Sequence, residues 1–164
     1  MKKVLLLLSV LTIVLSVNLS ASVVSSKVSI MAGGSLTHID NDVNIGYSAG
    51  IGYTEIQDNG VVLGSTLELD YLGTDYTSLS SFGLEVKCGY VVQPNTSLYG
   101  IIGFKTLNYL NSYSDTSGLG YGIGAKFDAN EEVGLEFKLT SYPMAINGYD
   151  FNVNKLAFYF VRSF

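Results

Sequence analysis

Chemistry in this chain would have to rest on very few side chains. There is one histidine, His38, and one cysteine, Cys88, in 164 residues. Acyl transfer or hydrolysis needs a nucleophile, a base within hydrogen-bond reach and a group that orients the base. His38 has Asp40 two residues on, but Ile39 follows it and no His-x-Ser pair occurs. Any site needing two histidines is excluded by the count, and Cys88 has no partner for an intrachain disulfide. Asp40, Asn41 and Asp42 offer oxygen ligands for weak Ca²⁺ contact, yet fall far short of an EF-hand loop. Gly120-x-Gly122-x-Gly124 has no helical pattern after it and is not a phosphate loop. No catalytic residue, cofactor or metal site is therefore assigned.

The charges that do form a pattern are lysines and acids on alternate positions. Lys27, Lys87, Lys126, Lys138 and Lys155 share a row with Gly, Ser and Thr, and so do Glu68, Asp70, Glu85 and Glu136. Lys105 joins them if its strand takes the register that sets Leu98, Gly100, Ile102 and Phe104 in the other row. Charges at the middle of a lipid-facing wall cost about 2–4 kcal/mol each. A lumenal network of Lys27, Glu68, Asp70, Glu85, Lys87, Lys105, Lys126, Glu136, Lys138 and Lys155 follows, in which glycines leave room for long side chains.

These residues need strands to carry them. From residue 22 onward the chain alternates with period two, which is the signature of β-structure. Eight strands are expected, near 27–37, 44–54, 61–72, 82–92, 98–109, 118–127, 133–142 and 155–164. The breaks fall at 38–42, 57–60, 73–81, 93–96, 111–117, 128–132 and 143–150. Asn59-Gly60 is the strongest of the short hairpin signals. Large apolar residues fill one row, and the other is small or charged. About ten residues per strand matches what a tilted strand needs to cross a bilayer.

Composition agrees. Hydrophobic residues make up 48% and charged residues 14%, against about 25% charged in a soluble domain. The sole long apolar run is N-terminal, so membrane helices do not account for the excess. Gly is frequent in the strands, which a soluble sheet surface disfavours. The formal charge of −5, with no basic cluster beyond the N-terminus, argues against nucleic acid as a partner. Residues 1–21 read as a secretory signal peptide: Lys2 and Lys3, an apolar stretch from Val4 to Val17, then Ser20-Ala21-Ser22 as the cleavage region. Its removal takes the formal charge from −5 to −7. Residues 22–164 are then one domain.

The last strand, Leu156-Ala157-Phe158-Tyr159-Phe160-Val161-Arg162-Ser163-Phe164, looks like the C-terminal strand of outer-membrane barrels. With the signal peptide and eight strands it resembles the small eight-stranded outer-membrane barrel proteins of the OmpA transmembrane-domain, OmpX and opacity type. Arg162 departs from that pattern. The resemblance implies an all-β, antiparallel up-and-down transmembrane barrel in the bacterial outer membrane, with both termini periplasmic. It implies lipid and lipopolysaccharide around the wall, and the barrel assembly machinery reading Phe158, Phe160 and Phe164. It leaves room for an extracellular ligand on the outer loops. No periplasmic domain is expected after Phe164. A structural or surface-interaction role is expected, with a narrow porin-like channel as the alternative and a lipid-modifying enzyme behind it. A soluble lipocalin-like barrel is the competing fold.

Overall fold

The computed structural model describes residues 22–40, 42–73, 78–109, 115–146 and 148–164. The signal-peptide expectation lies outside these residues. Eight strands follow one another: β1 Val23–Ile39, β2 Asp42–Gln57, β3 Val61–Gly73, β4 Ser78–Gln93, β5 Thr96–Tyr109, β6 Asp115–Asp128, β7 Val133–Ile146 and β8 Tyr149–Ser163. Each pairs antiparallel with the next, and β8 closes on β1. Backbone bonds between Val28 and Phe164, at 2.8 and 3.3 Å, finish that closing seam. A closed sheet has no edge, so its strand backbones meet their partners without water.

One end of the barrel, here the turn end, carries the start of β1, the end of β8 and the turns β2–β3, β4–β5 and β6–β7. The other, here the loop end, carries β1–β2, β3–β4, β5–β6 and β7–β8. The strands run further toward the loop end than the sequence suggests. The stretch 143–150, expected as a loop, is strand on both sides of a tight turn: Met144 pairs with Phe151 and Ile146 with Tyr149. Likewise Ser78–Ser81 belong to β4 and Asp115–Ser117 to β6. Asp40 (φ 53°) and Gly148 (φ 83°) adopt left-handed backbone at the β1–β2 and β7–β8 turns, and Gly60 (φ 82°) at β2–β3. At β2–β3 the Gly60 amide donates to the Gln57 carbonyl at 2.9 Å, which makes a type I turn followed by a left-handed glycine.

The two rows separate completely except at Leu63. Every other large-apolar-row residue is exposed or half-buried, with Tyr47 at 75% and Phe160 at 63%. Leu63 alone of that row is buried. No residue of the small-or-charged row is exposed. A soluble barrel would bury the large apolar row, and this one turns it outward. Phe127, Phe137, Phe158 and Phe160 form an aromatic band on the outer face of β6–β8, with successive ring centroids 6.1, 4.9 and 5.2 Å apart. The register of β5 turns Lys105 inward, where it is 2% exposed.

Candidate functional site: a charged layer across the lumen

Spacing of two along a strand sends neighbouring charges to the same side. Glu68 and Asp70 of β3, Glu85 and Lys87 of β4, Lys105 of β5, Glu136 and Lys138 of β7 and Lys155 of β8 therefore all point into the lumen. There they meet. Glu68 is the hub: it accepts from Lys155 at 2.6 Å, from Lys105 at 3.3 Å, from the Tyr159 hydroxyl at 2.5 Å and from Lys138. Asp70 accepts from Lys155 (2.5 Å), Lys105 (2.7 Å), Ser48 (2.6 Å) and Ser81 (2.7 Å). Glu85 accepts from Lys138 at 2.7 Å and Tyr142 at 2.9 Å. Glu136 accepts from Lys87 and Tyr99.

Four carboxylates face four ammonium groups, all buried, so the layer is formally neutral. Buried ions are tolerated only when paired and fully hydrogen-bonded. Each carboxylate here has at least two donors. Each lysine also lies over a tyrosine ring: Lys87 on Tyr99 (5.1 Å), Lys105 on Tyr142 (5.0 Å), Lys138 and Lys155 on Tyr159 (4.8 and 5.6 Å). The ring face attracts the cation while the hydroxyl donates to the acid.

Two expected members stand apart. Lys126 is opposite Glu136 in register, but Glu136 is already taken by Lys87 and Tyr99. Lys126 pairs instead with Asp128, at 2.9 Å and partly solvated. Lys27 sits on the part of β1 that runs past the end of β8, and its ammonium donates to the Glu131 carbonyl at 2.6 Å. Sequence reasoning misses three members, Tyr99, Tyr142 and Tyr159. Their signal is position: each falls on the lumenal alternation of its strand.

The lumenal glycines make the expected room for charged side chains and also seat tyrosines: a Cβ on Gly103 would lie 3.1 Å from Glu85 Cγ and one on Gly83 3.3 Å from Lys105 Cε. A Cβ on Gly124 would lie 2.3 Å from the Tyr99 ring, and one on Gly120 2.3 Å from the Tyr142 ring. The fit against the tyrosine rings is the tighter of the two.

Toward the loop end the same row turns apolar. Leu72, Leu79, Leu107, Tyr142, Met144, Phe151 and Val153 pack together over the charged layer. Tyr142 belongs to both, its ring in the apolar cluster and its hydroxyl on Glu85. Toward the turn end Met31, Ala157 and Val161 pack with Tyr159, and beside them lies a cavity of about 30 Å³ bordered by Ser29, Thr54, Val62, Ser97, Lys87 and Glu136. That is room for a single water. His38 is exposed at the loop-end rim and Cys88 on the outer wall. Among the described residues no group of three or more His, Cys, Asp or Glu could hold a metal ion. Phe158 and Phe160 face outward, and the Arg162 guanidinium lies over the Phe164 ring at 5.4 Å.

A closed antiparallel wall, apolar outside and ion-paired within, defines a transmembrane β-barrel. The chain belongs to the outer membrane protein beta-barrel domain family, which matches residues 7–164. It is thus a protein of the bacterial outer membrane. Among solved structures it is similar in fold to Neisserial surface protein A, at 16% identity and TM-score 0.60, covering 88% of this chain and 99% of that one. It is also similar to the attachment invasion locus protein Ail of Yersinia pestis, at 14% identity and TM-score 0.57, covering 85% and 97%. The N-terminal barrel domain of Pseudomonas aeruginosa OprF follows at 14% identity and TM-score 0.52, covering 81% and 96%. No curated protein matches the sequence.

Proposed function

We propose that this barrel is a non-conducting structural element of the outer membrane, acting through its wall and rims rather than through its lumen. The observation that carries this reading is the neutral, fully paired layer of four acids and four lysines. A water-filled pore needs lining groups that solvent can reach, and each member of this layer is at most 6% exposed. A barrel of eight strands has an interior that side chains alone can fill. Lipid and lipopolysaccharide are the partners of the wall. The barrel assembly machinery is the partner of the strand bearing Phe158, Phe160 and Phe164. The loop-end hairpins are the face left for an extracellular ligand.

The test is conductance of the purified barrel in planar lipid bilayers. The wild-type protein is expected to give no channel events. Steady single-channel steps from it would replace this reading with a narrow-pore one.

A further inference from the structure

Four of the seven apolar residues that cap the lumen, Tyr142, Met144, Phe151 and Val153, ride on the β7–β8 hairpin. The outer part of that hairpin is ladder-bonded only to itself. Pro143 pairs with Asn152, Met144 with Phe151 and Ala145 with Asp150. On one side, β8 meets β1 no further than Val153 opposite Ile39. On the other, the β6–β7 ladder stops at Tyr121 opposite Ser141, although β6 begins at Asp115 and β7 continues to Ile146. It is the shortest ladder in the barrel.

Pro143 explains the gap. Its carbonyl oxygen lies 2.2 Å from where a Cβ on Gly118 would sit, so residue 143 turns its polar backbone toward β6. In an antiparallel ladder the N–H of a residue points to the same neighbour as its carbonyl, and proline has no N–H. The arm is held to β6 by a side chain instead: the Thr116 hydroxyl donates to the Ala145 carbonyl at 2.7 Å. Beside the arm lies a depression of about 430 Å³, bordered by Ser117, Pro143 and Ala145 and reaching the cap residues Met144 and Phe151.

We propose that residues 143–146 and 148–152 form a hinged flap over the loop end of the lumen, with Thr116 as its latch. Swinging away from β6, the flap withdraws Met144 and Phe151 and uncovers an apolar cup floored by Leu72, Leu79 and Leu107. The charged layer beneath stays shut, so the motion opens a cup and not a through-path. The inference rests on the sealed-lumen reading for that last point only.

The test is thiol accessibility in reconstituted barrels, in a Cys88→Ser background, with heat-modifiable gel mobility verifying folding. Leu107→Cys, buried under the flap, is the probe, and Leu79→Cys is a second probe in case the first disturbs the cap. A membrane-impermeant thiol reagent is expected to label the probe slowly when Thr116 is intact. Thr116→Val should speed labelling about two- to twelvefold, the range that loss of one hydrogen bond sets, while Thr116→Ser should leave the rate near wild type. Pro143→Val, which restores the missing donor, should slow it. Equal rates in the parent, Thr116→Val and Thr116→Ser proteins overturn the flap, whatever becomes of the proline variant. Conductance of the same proteins is recorded in parallel: channel events in wild type overturn the sealed lumen and leave the labelling ratios to judge the flap alone.

Discussion

Two layers of side chains cross the lumen, held by different physics. In the middle, Glu68 and its three lysines are held by directed bonds between named partners. One layer nearer the loop end, Leu72, Leu79 and Leu107 are held by packing alone. The charged layer is a set of obligations: remove one acid and several cations lose their partner in a medium that does not solvate them. The apolar layer is closer to a sum of parts, in which a deleted side chain leaves a void and little else. The same row of the same strands thus yields one brittle layer and one forgiving one.

That contrast can be broken in order of expected effect. Glu68→Ala should be the most damaging, about 3–5 kcal/mol as for other broken buried ion pairs, read as a lowered midpoint for urea unfolding in lipid vesicles. Should it prove milder than Leu107→Ala, the charged layer is not the brittle one. Leu107→Ala should cost about 2–4 kcal/mol through its cavity, with the barrel still silent in planar bilayers. Gly124→Ala comes next, at about 1–3 kcal/mol of overpacking against the Tyr99 ring. Its near-ultraviolet tyrosine dichroism should change, and an unchanged signal would mean that the ring has other space. A charge swap sharpens the picture: Lys87→Glu with Glu136→Lys should recover much of what either single change loses, and additive losses would show that orientation matters more than pairing. Lys126→Ala, whose partner Asp128 is partly solvated, should cost less than about 1 kcal/mol.

How much of this can be read from the chain itself follows from the same contrast. Alternation reports which side a residue faces, so Lys138 and Lys155 can be placed in the lumen without coordinates, whereas Lys105 needs the register of β5 to be chosen first. Alternation does not report where a strand stops. Pro143 reads as a loop residue because proline is rare inside sheets, which ends the expected β7 at Tyr142. Continued four residues further, the lumenal row gives Met144, and continued backward from Lys155 it gives Val153 and Phe151. The apolar cap is hidden by that boundary and not by any weakness of the pattern. Asn147-Gly148 carries the same dipeptide signal as Asn59-Gly60 and marks the turn between them. The tyrosines escape for another reason. A tyrosine suits either face by its chemistry, so a search for charges passes over Tyr99 and Tyr142 although each falls on the lumenal alternation of its strand. Who pairs with whom in the charged layer depends on distances across the barrel, which no local pattern contains. Lys126 and Lys27 show the limit: both sit in the correct row, at the wrong height.

The turns themselves carry one more consequence. The longest connection at the loop end spans residues 110–114, and β1–β2 and β7–β8 are joined by two residues each. A protease must draw a slack segment into its cleft, and an antibody needs relief to grip. The β1–β2 and β7–β8 hairpins offer almost none, so a protease of broad specificity should leave both uncut in the folded barrel.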